Sequence, residues 1–324
     1  MSPALSQPPF DPEVAAVLAN FAEQTPTVIT AEMIPALRPT LASGGIPAEL
    51  LAEGNVTRRD ITFSGYEGAE TVMSVFARGD HTGAAAGIYF IHGGGMIAGD
   101  RFGAMSRALP WVVEHDIVVV TVEYRLAPEF PDPYPVEDCY AGLVWTAEHS
   151  AELGIDPHRL IVAGASAGGG LAAGTALLAR DRGGPELAAQ LLICPMLDDR
   201  DGTVSARQYE DAGTWVRSNN VMGWTALLGA RRGTDEVSVY AAPARATELA
   251  GLPPAYIDCG SAEVFRDEDV GYATALWAAG VQAELHVWPG GFHGFDVAAP
   301  HSALARACTA ARNAWVARQI RVGN

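Results

Sequence analysis

A serine set between glycines follows an apolar run near the middle of the chain. Gly164, Ser166 and Gly168 form a Gly-x-Ser-x-Gly pattern at the end of the run "LIVAGA" at 160–165. The pattern predicts a strand that enters a tight turn and a helix that leaves it, which exposes the serine hydroxyl at the end of a sheet. Glycines on both sides remove side chains that would collide in such a turn. Ser166 is therefore a candidate nucleophile, and an ordinary glycine-rich turn is the alternative interpretation.

A serine hydroxyl becomes a useful nucleophile only when a base removes its proton. Of the eight histidines, His293 lies in the glycine-rich stretch "WPGGFHGF" at 288–295, after the last predicted strand. This loop should reach the sheet edge that carries Ser166, and it comes last in the chain order of nucleophile, acid and base. His293 is the predicted base, and His301, at the start of the last predicted helix, is the second candidate.

The loop after the predicted strand at 255–259 offers an acid that would orient the imidazole. Glu263 lies four residues past this strand, whereas Asp267 lies where the next helix should begin. Acids are common in the first turn of a helix for other reasons, namely capping and the helix dipole. The acid would hold the imidazole in the tautomer that accepts the serine proton, and it would stabilise the imidazolium. Glu263 is the predicted acid, and Asp267 is the alternative.

Three consecutive glycines follow the predicted strand at 87–92, in the stretch "HGGG" at 92–95. Attack on an ester carbonyl creates an oxyanion, which needs N–H donors that are fixed before the reaction. The bare backbone at Gly94 and Gly95 can approach a substrate closely. Their N–H groups, with that of Ala167 beside the nucleophile, are the predicted oxyanion hole. His92 is then predicted to be structural and to bond within this loop.

The composition rules out several other chemistries. All 21 basic residues of the 324-residue chain are arginine. A Schiff-base lysine, a phosphate-loop lysine and a Ser-x-x-Lys dyad are therefore impossible. The four cysteines lie far apart in the sequence and form no zinc-binding pattern: Cys139, Cys194, Cys259 and Cys308. We expect them to be buried, reduced thiols, and we expect no metal.

The charge and hydropathy of the chain predict an acidic globular protein. Its formal net charge is −17, which disfavours nucleic acids and anionic membrane surfaces as partners. Apolar residues make up 49% of the chain and charged residues 18%, so a large core can form. The sequence shows neither a basic leader with an apolar run nor about 18 uninterrupted apolar residues, so we expect a cytoplasmic protein.

Strands and helices are predicted to alternate along most of the chain. The near-continuous apolar runs are typical of parallel strands that helices cover on both faces, so the fold class is α/β. The predicted strands lie at 60–65, 71–77, 87–92, 117–124, 160–165, 189–194, 255–259 and 283–289, of which the first two should be antiparallel. The predicted helices lie at 103–115, 136–151, 168–181 and 267–280.

The motifs together resemble the hormone-sensitive-lipase-like branch of the α/β-hydrolases, and they are most similar to bacterial esterases of the acetyl and heroin esterase type. The resemblance covers about residues 80–300. It rests on the stretches "HGGG" at 92–95, "YRLAPE" at 124–129, "GASAGG" at 164–169, "RDE" at 266–268 and "GFHGF" at 291–295.

This resemblance implies an eight-stranded, mostly parallel sheet with a helical cap. The cap would consist of residues 1–50, where prolines interrupt short predicted helices, and of residues 198–235, which break the alternation of strand and helix. The rest of 51–324 would be the α/β-hydrolase domain. The implied activity is hydrolysis of short-acyl carboxylic esters, acetyl to about hexanoyl, without a cofactor. A small-molecule ester is the implied partner, and a homodimer is an implied state.

The resemblance also implies roles for single residues. The motif positions make Ser166 the nucleophile and His293 the base, and they give oxyanion donors at Gly94, Gly95 and Ala167. The same motifs imply structural roles for three further residues: Arg125, Glu129 and Asp138.

One departure from the family pattern concerns the acid. The family usually has Asp-Pro-Leu before "RDE", whereas this chain has Glu263, Val264 and Phe265. The longer glutamate and the missing proline require a different loop, which keeps Asp267 open as the acid.

Two other functions compete with the esterase. The stretch "GGGMIA" at 93–98 satisfies the dinucleotide-binding pattern, and Glu123 ends the next predicted strand as a ribose-binding acid would. A nucleotide-binding oxidoreductase is therefore one alternative, and a non-catalytic ligand receptor on a hydrolase scaffold is the other. Four large residues are predicted either to line a substrate pocket or to belong to the core: Met96, Trp215, Met222 and Trp224.

Overall fold

One eight-stranded sheet organises the computed structural model, which describes residues 5–24, 27–103 and 105–321. The strands are β1 (Val56–Ser64), β2 (Glu70–Arg78), β3 (Ala85–Ile91), β4 (Val118–Val122), β5 (Ile155–Ala165), β6 (Ala189–Ile193), β7 (Ala255–Gly260) and β8 (Ala283–Trp288). They lie side by side in the order β1-β2-β4-β3-β5-β6-β7-β8. β2 pairs antiparallel with both of its neighbours, β1 and β4. The remaining neighbours in this order, from the pair β4-β3 to the pair β7-β8, are parallel.

The helices fall into two groups, those that cover the sheet and those of the two predicted cap segments. The described helices are α1 (Pro12–Gln24), α2 (Ile34–Leu41), α3 (Ala48–Glu53), α4 (Met105–His115), α5 (Tyr134–Glu148), α6 (Ser150–Leu153), α7 (Ala167–Asp181), α8 (Val204–Gln208), α9 (Arg217–Leu228), α10 (Arg266–Ala278), α11 (Phe295–Ala298) and α12 (Ala303–Gln319). None of them combines the length and the apolar character that crossing a bilayer would require.

Helices bury both faces of the sheet, as the apolar runs predict. On one face Trp111 of α4 and Trp315 of α12 join a core with side chains of the central strands. The larger core on the other face includes Leu143 of α5, Leu177 of α7 and Leu276 of α10. Every residue of β4 and β6 is buried. The predicted α/β fold with an eight-stranded, mostly parallel sheet is therefore confirmed.

Two predicted strands begin four or five residues earlier than the apolar runs indicate, and two others begin one or two residues earlier. β5 starts at Ile155, where it pairs with Ala85, and an irregularity in the pairing follows before Gly87 meets Leu160. The stretch "DPHR" at 156–159 lies between these pairs and interrupts the apolar run, so the sequence pattern missed this start. β1 starts at Val56 rather than at residue 60. The sequence pattern missed this start because the residues 57–60 are polar and exposed.

The segments predicted as the cap contact each other. The side-chain amide of Asn219, at the start of α9, donates to the Thr27 carbonyl and accepts from the Ile29 N–H, at 2.8 and 2.7 Å. The Tyr209 hydroxyl donates to the Pro8 carbonyl at 2.8 Å. Parts of the predicted segments, residues 1–4, 25–26 and 322–324, lie outside the described residues, as does position 104 of the predicted helix 103–115.

Candidate active site

Ser166 occupies a strained turn between β5 and α7. Its backbone has φ 59° and ψ −125°, a conformation that residues other than glycine rarely adopt. A Cβ atom at Gly164 would lie 2.0 Å from the Gly168 carbonyl oxygen, and one at Gly168 would lie 2.2 Å from the Ile91 oxygen. Both glycines are therefore required by close backbone contacts. The Ser166 N–H donates to the Ile193 carbonyl of β6 at 2.8 Å, which fixes the turn against the sheet.

The three side chains predicted as nucleophile, base and acid form one hydrogen-bonded chain. His293 Nε2 lies 2.9 Å from Ser166 Oγ, and His293 Nδ1 lies 2.6 Å from Glu263 Oε2. A carboxylate can only accept, so Nδ1 carries the imidazole proton and Nε2 is free to accept from the serine hydroxyl. This arrangement can move a proton from Ser166 to His293 while Glu263 stabilises the resulting imidazolium.

Glu263 is held rigidly although its loop departs from the family pattern. Its side chain is 1% exposed, and Oε1 accepts the Gly260 N–H at 2.6 Å. Each carboxylate oxygen thus has one donor. The Phe265 ring lies edge-on against the His293 imidazole, with 5.0 Å between the ring centres. The position that usually holds leucine therefore supports the base from the side.

Asp267, the alternative acid, binds other groups. One of its carboxylate oxygens accepts the Ser205 N–H at 2.8 Å, and the other accepts from Arg266 Nε at 2.8 Å. It lies in the first turn of α10 and joins this helix to α8. His301, the second candidate base, precedes α12, and its carbonyl accepts from Arg306.

The loop that carries His293 is anchored by three neighbouring segments. A Cβ atom at Gly260 would lie 1.9 Å from the Gly291 carbonyl, so the acid loop and the base loop touch through their backbones. The Asp11 N–H donates to the Gly290 carbonyl at 3.0 Å. The Thr214 hydroxyl donates to the carbonyl of His293 itself at 2.5 Å. No sequence pattern singles out Thr214 or Asp11 for these contacts.

The glycine loop after β3 presents unused N–H groups near Ser166. Gly94 and Gly95 have φ 112° and 63°, and a Cβ atom at Gly94 would lie 2.0 Å from the Ala98 oxygen. Within the described part of the chain, the N–H groups of Gly94 and Gly95 donate to no protein acceptor. Ala167 is the first residue of α7, where an N–H has no partner inside the helix. These three donors are available to a substrate oxygen.

His92 acts within the glycine loop, as predicted for a structural histidine. Its Nδ1 lies 2.8 Å from the Gly93 carbonyl, and its ring stacks on Tyr124 with 4.2 Å between centres. The Tyr124 hydroxyl donates to the His92 carbonyl at 3.0 Å. Burial lowers the pKa of His92, so its ring is neutral. The "YRLAPE" motif thus holds the loop through its tyrosine.

A cavity of about 270 Å³ opens beside Ser166 and His293. Its wall also includes Gly93, Gly94 and Cys194. Of the four large residues considered for a pocket, Met96 and Trp224 are fully buried core residues. The Trp215 ring packs against Gly95, where a Cβ atom would lie 2.4 Å from it. A larger cavity of about 470 Å³ lies between α4 and α12, and Ser166 is not among the residues that line it.

The dinucleotide interpretation of "GGGMIA" does not fit this geometry. That motif needs a helix that begins at its glycines and points its N-terminus at the pyrophosphate. Residues 93–98 instead form a turn, and helix α4 begins only at Met105. Glu123, the supposed ribose ligand, accepts from the backbone and the guanidinium of Arg101.

Residues 88–297 match the family described as the alpha/beta hydrolase fold. The chain is an α/β-hydrolase. Over 308 residues, which cover 90% of this hydrolase and 91% of the relative, it is 34% identical to "Carboxylesterase NlhH" of Mycobacterium tuberculosis. The expected membership of this family is confirmed.

Solved structures of esterases resemble this α/β-hydrolase over nearly its whole length. "Bacterial Heroin Esterase" superposes with a TM-score of 0.87 at 37% identity, covering 96% of the hydrolase and 98% of that chain. Esterase LipW from Mycobacterium marinum superposes with a TM-score of 0.86 at 31% identity, covering 97% and 98%. The predicted resemblance to the heroin esterase type is therefore confirmed.

Proposed function

We propose that this α/β-hydrolase cleaves short-acyl carboxylic esters through an acyl-enzyme formed on Ser166. That it is a carboxylic ester hydrolase follows from its family and from relatives that are named carboxylesterases and esterases. The proposal adds the residues and the acyl range. The observation that carries it is the chain of hydrogen bonds from Ser166 Oγ through His293 to Glu263, at 2.9 and 2.6 Å.

The proposed reaction begins when Ser166 Oγ attacks the ester carbonyl carbon. Its proton moves to His293 Nε2, and the carbonyl oxygen becomes an oxyanion that accepts from the N–H groups of Gly94, Gly95 and Ala167. When the tetrahedral intermediate collapses, the ester bond breaks and the departing alcohol takes the proton from the imidazolium. Glu263 stays ionised throughout and holds Nδ1–H.

A water molecule then releases the acyl group by the same steps in reverse. His293 takes a proton from the water, the resulting hydroxide attacks the acyl carbon, and Ser166 leaves with the proton from Nε2. Only neutral imidazole can accept a proton. No step of this cycle needs a cofactor.

The dimensions of the site support a short acyl group. The cavity beside Ser166 measures about 270 Å³, slightly below the range of roughly 300–1,000 Å³ that is usual for ligand pockets. We also propose that residues 1–50 and 198–235 together form the cap of this site. Their mutual contacts through Asn219 and the contact of Thr214 with His293 support this assignment.

Turnover of p-nitrophenyl esters of increasing acyl length tests the proposed substrate range. We expect kcat/KM to be highest between acetyl and hexanoyl and to fall for longer chains, because the cavity cannot contain them. A maximum at decanoyl would contradict the proposed range. Absence of turnover with every ester would instead favour a non-catalytic receptor, the alternative function.

Ser166→Ala tests the proposed nucleophile. We expect kcat to fall by about 1,000-fold or more while the fold is retained, because the oxyanion donors remain but no acyl-enzyme can form. Circular dichroism and urea unfolding provide the control for folding. Turnover by the variant at the wild-type rate would disprove the mechanism.

A further inference from the structure

A third ligand-type side chain lies beside the proposed base and acid. Cys194 Sγ, a carboxylate oxygen of Glu263 and a ring nitrogen of His293 all lie within 4.8 Å of one another. Cys194 and Glu263 are buried, and the His293 side chain is 12% exposed. The hydrolytic mechanism uses the imidazole and the carboxylate but leaves the thiol without a role.

The backbone fixes the thiol in this place. Cys194 directly follows β6, and its N–H donates to the Asp258 carbonyl of β7 at 2.6 Å. Its φ is 38°, in the left-handed region that residues with a side chain adopt only at a cost in backbone strain. The turn after β6 therefore brings the thiol to the sheet edge where the loops of Glu263 and His293 meet.

Thiolate, imidazole and carboxylate together are the ligand set of zinc and of softer divalent cations. In a tetrahedral zinc site with these three ligands, the ligand atoms lie about 3.4–3.6 Å apart. To reach that geometry, Glu263 Oε2 and His293 Nδ1, now 2.6 Å apart, would have to separate slightly, and any pair near the 4.8 Å limit would have to close by roughly 1 Å. Cys194, His293 and Ser166 all line the same cavity, so a cation can enter there and keep a fourth position for water.

Acidic side chains near Cys194 favour a cation at this place. Asp258, Glu263 and Asp296 line one small cavity with the thiol, and Arg312 lines it as well. A divalent cation that binds there takes the place of the proton on sulfur, because the thiolate is the form that ligates a metal.

We propose that Cys194, Glu263 and His293 bind a zinc- or cadmium-type divalent cation, and that this binding switches hydrolysis off. Inhibition rests on the proposed function of the site. A cation on His293 Nε2 replaces the bond to Ser166. A cation on Nδ1 displaces the bond to Glu263 and moves the remaining proton to Nε2, which can then no longer accept. In both cases the thiol proton is released to solvent.

Inhibition by Cd²⁺ tests the role of the thiol. Hydrolysis of p-nitrophenyl acetate is measured against Cd²⁺ concentration in the wild type, in Cys194→Ala and in Cys139→Ala. Each variant is compared with its own rate without metal. We expect Cys194→Ala to raise the half-inhibiting concentration by about tenfold or more, since even outer partners of a metal site change affinity 10–100-fold.

The controls separate this site from general metal effects. Cys139 is a fully buried thiol of α5 in the core on the other face of the sheet, so Cys139→Ala should stay as sensitive as the wild type. Mg²⁺ prefers oxygen ligands and should not inhibit. A chelator should restore activity. Equal inhibition of wild type and Cys194→Ala by Cd²⁺ would contradict the proposal.

Calorimetry on an inactive variant separates metal binding from catalysis. Ser166→Ala keeps all three proposed ligands, and we expect it to bind one Cd²⁺ with a thiolate absorption band in the ultraviolet. Ser166→Ala combined with Cys194→Ala should lose both signals, and equal binding by the two would overturn the site. A third outcome is that Cd²⁺ binds through Cys194 but leaves wild-type hydrolysis unchanged. This would overturn the proposed inhibition and the catalytic roles proposed for His293 and Glu263, while the metal site itself would stand.

Discussion

Glu263 and Asp267 differ in what their carboxylates contact, and this difference decides which variant should lose activity. Glu263→Gln would place an amide opposite His293 Nδ1, at the 2.6 Å contact that now sets the tautomer. We expect kcat/KM to fall by about 1,000- to 10,000-fold, the loss caused when the orienting acid of a serine protease becomes an amide. The measurement is the hydrolysis of p-nitrophenyl acetate.

Asp267→Asn is the matched control for this loss. Its carboxylate joins α10 to α8 through Ser205 and does not contact the imidazole. We expect kcat/KM to change by less than about tenfold, because a lost hydrogen bond at this half-buried position is worth about 1 kcal/mol. If Asp267→Asn proved the more damaging change, Asp267 would be the acid and Glu263 a structural residue.

Asp269 is a buried acid whose protonation should make stability depend on pH. The residue is fully buried, and neither carboxylate oxygen has a hydrogen-bond partner among the described residues. Burial raises its pKa well above the usual range, and the nearby carboxylates of Glu263 and Glu268 raise it further. The protonated form therefore stabilises the folded chain fully below the pKa of the unfolded chain. This stabilisation is lost as pH rises towards the folded pKa, because the unfolded chain then releases a proton that the folded chain keeps.

Asp269→Asn should remove this dependence, because the amide is neutral at every pH. We expect the variant to match the wild type near pH 4 and to be the more stable protein near pH 7. Urea unfolding at both pH values measures the difference. Asp235→Asn, at an exposed position, is the control and should show no such divergence. A constant difference at all pH values would mean that Asp269 is ionised in the folded protein.

At the scale of elements, the site depends on loops that touch through their backbones. The Thr214 hydroxyl holds the carbonyl of His293 from the 198–235 segment. Thr214→Val keeps the shape of the side chain and removes this bond, worth about 0.5–1.5 kcal/mol. We expect kcat to fall about two- to tenfold across the whole pH range, because the groups that exchange protons are unchanged.

Thr225→Val is the control for Thr214→Val. Its hydroxyl donates to the Val221 carbonyl within the same helix, α9, at an exposed position. We expect it to leave kcat unchanged. If Thr214→Val also left kcat unchanged, the contact with the His293 carbonyl would have no part in positioning the base.

The sequence predicts the elements well because their signals are local. Apolar runs mark the strands, and the glycines beside Ser166 stand in a recognisable motif, although the backbone that requires Gly168 belongs to Ile91 of β3. Contacts between distant segments leave no such signal. The positions of Cys194 and Thr214 depend on where β6 and the 198–235 segment place them, and the start of β5 at Ile155 is hidden by polar residues.

At the scale of the whole molecule, a buried network of ion pairs connects the last helix, α12, to the loop that carries His293. Arg312 of α12 donates to Asp258 of β7 and to Asp296 of α11, each at 2.9 Å. Arg107 of α4 also binds Asp296, at 2.8 Å. Burial would raise the pKa of Asp296, but the two guanidinium groups outweigh it and hold this pKa well below its usual range. Asp296 lies three residues after His293, so the network also anchors the loop of the base.

Arg312→Met should be among the most destabilising single changes in this protein. The Arg312 side chain is 3% exposed, and its removal leaves Asp258 buried without its guanidinium partner. Breaking a buried ion pair in this way costs about 3–5 kcal/mol. Arg318→Met, on the same helix, is the control. It breaks an ion pair between Arg318, whose side chain is about half exposed, and Glu284. The loss should cost no more than about 1 kcal/mol of stability. The two variants are compared by the midpoint of urea unfolding at constant slope. A similar cost for both would show that the buried network contributes no more to stability than a surface pair.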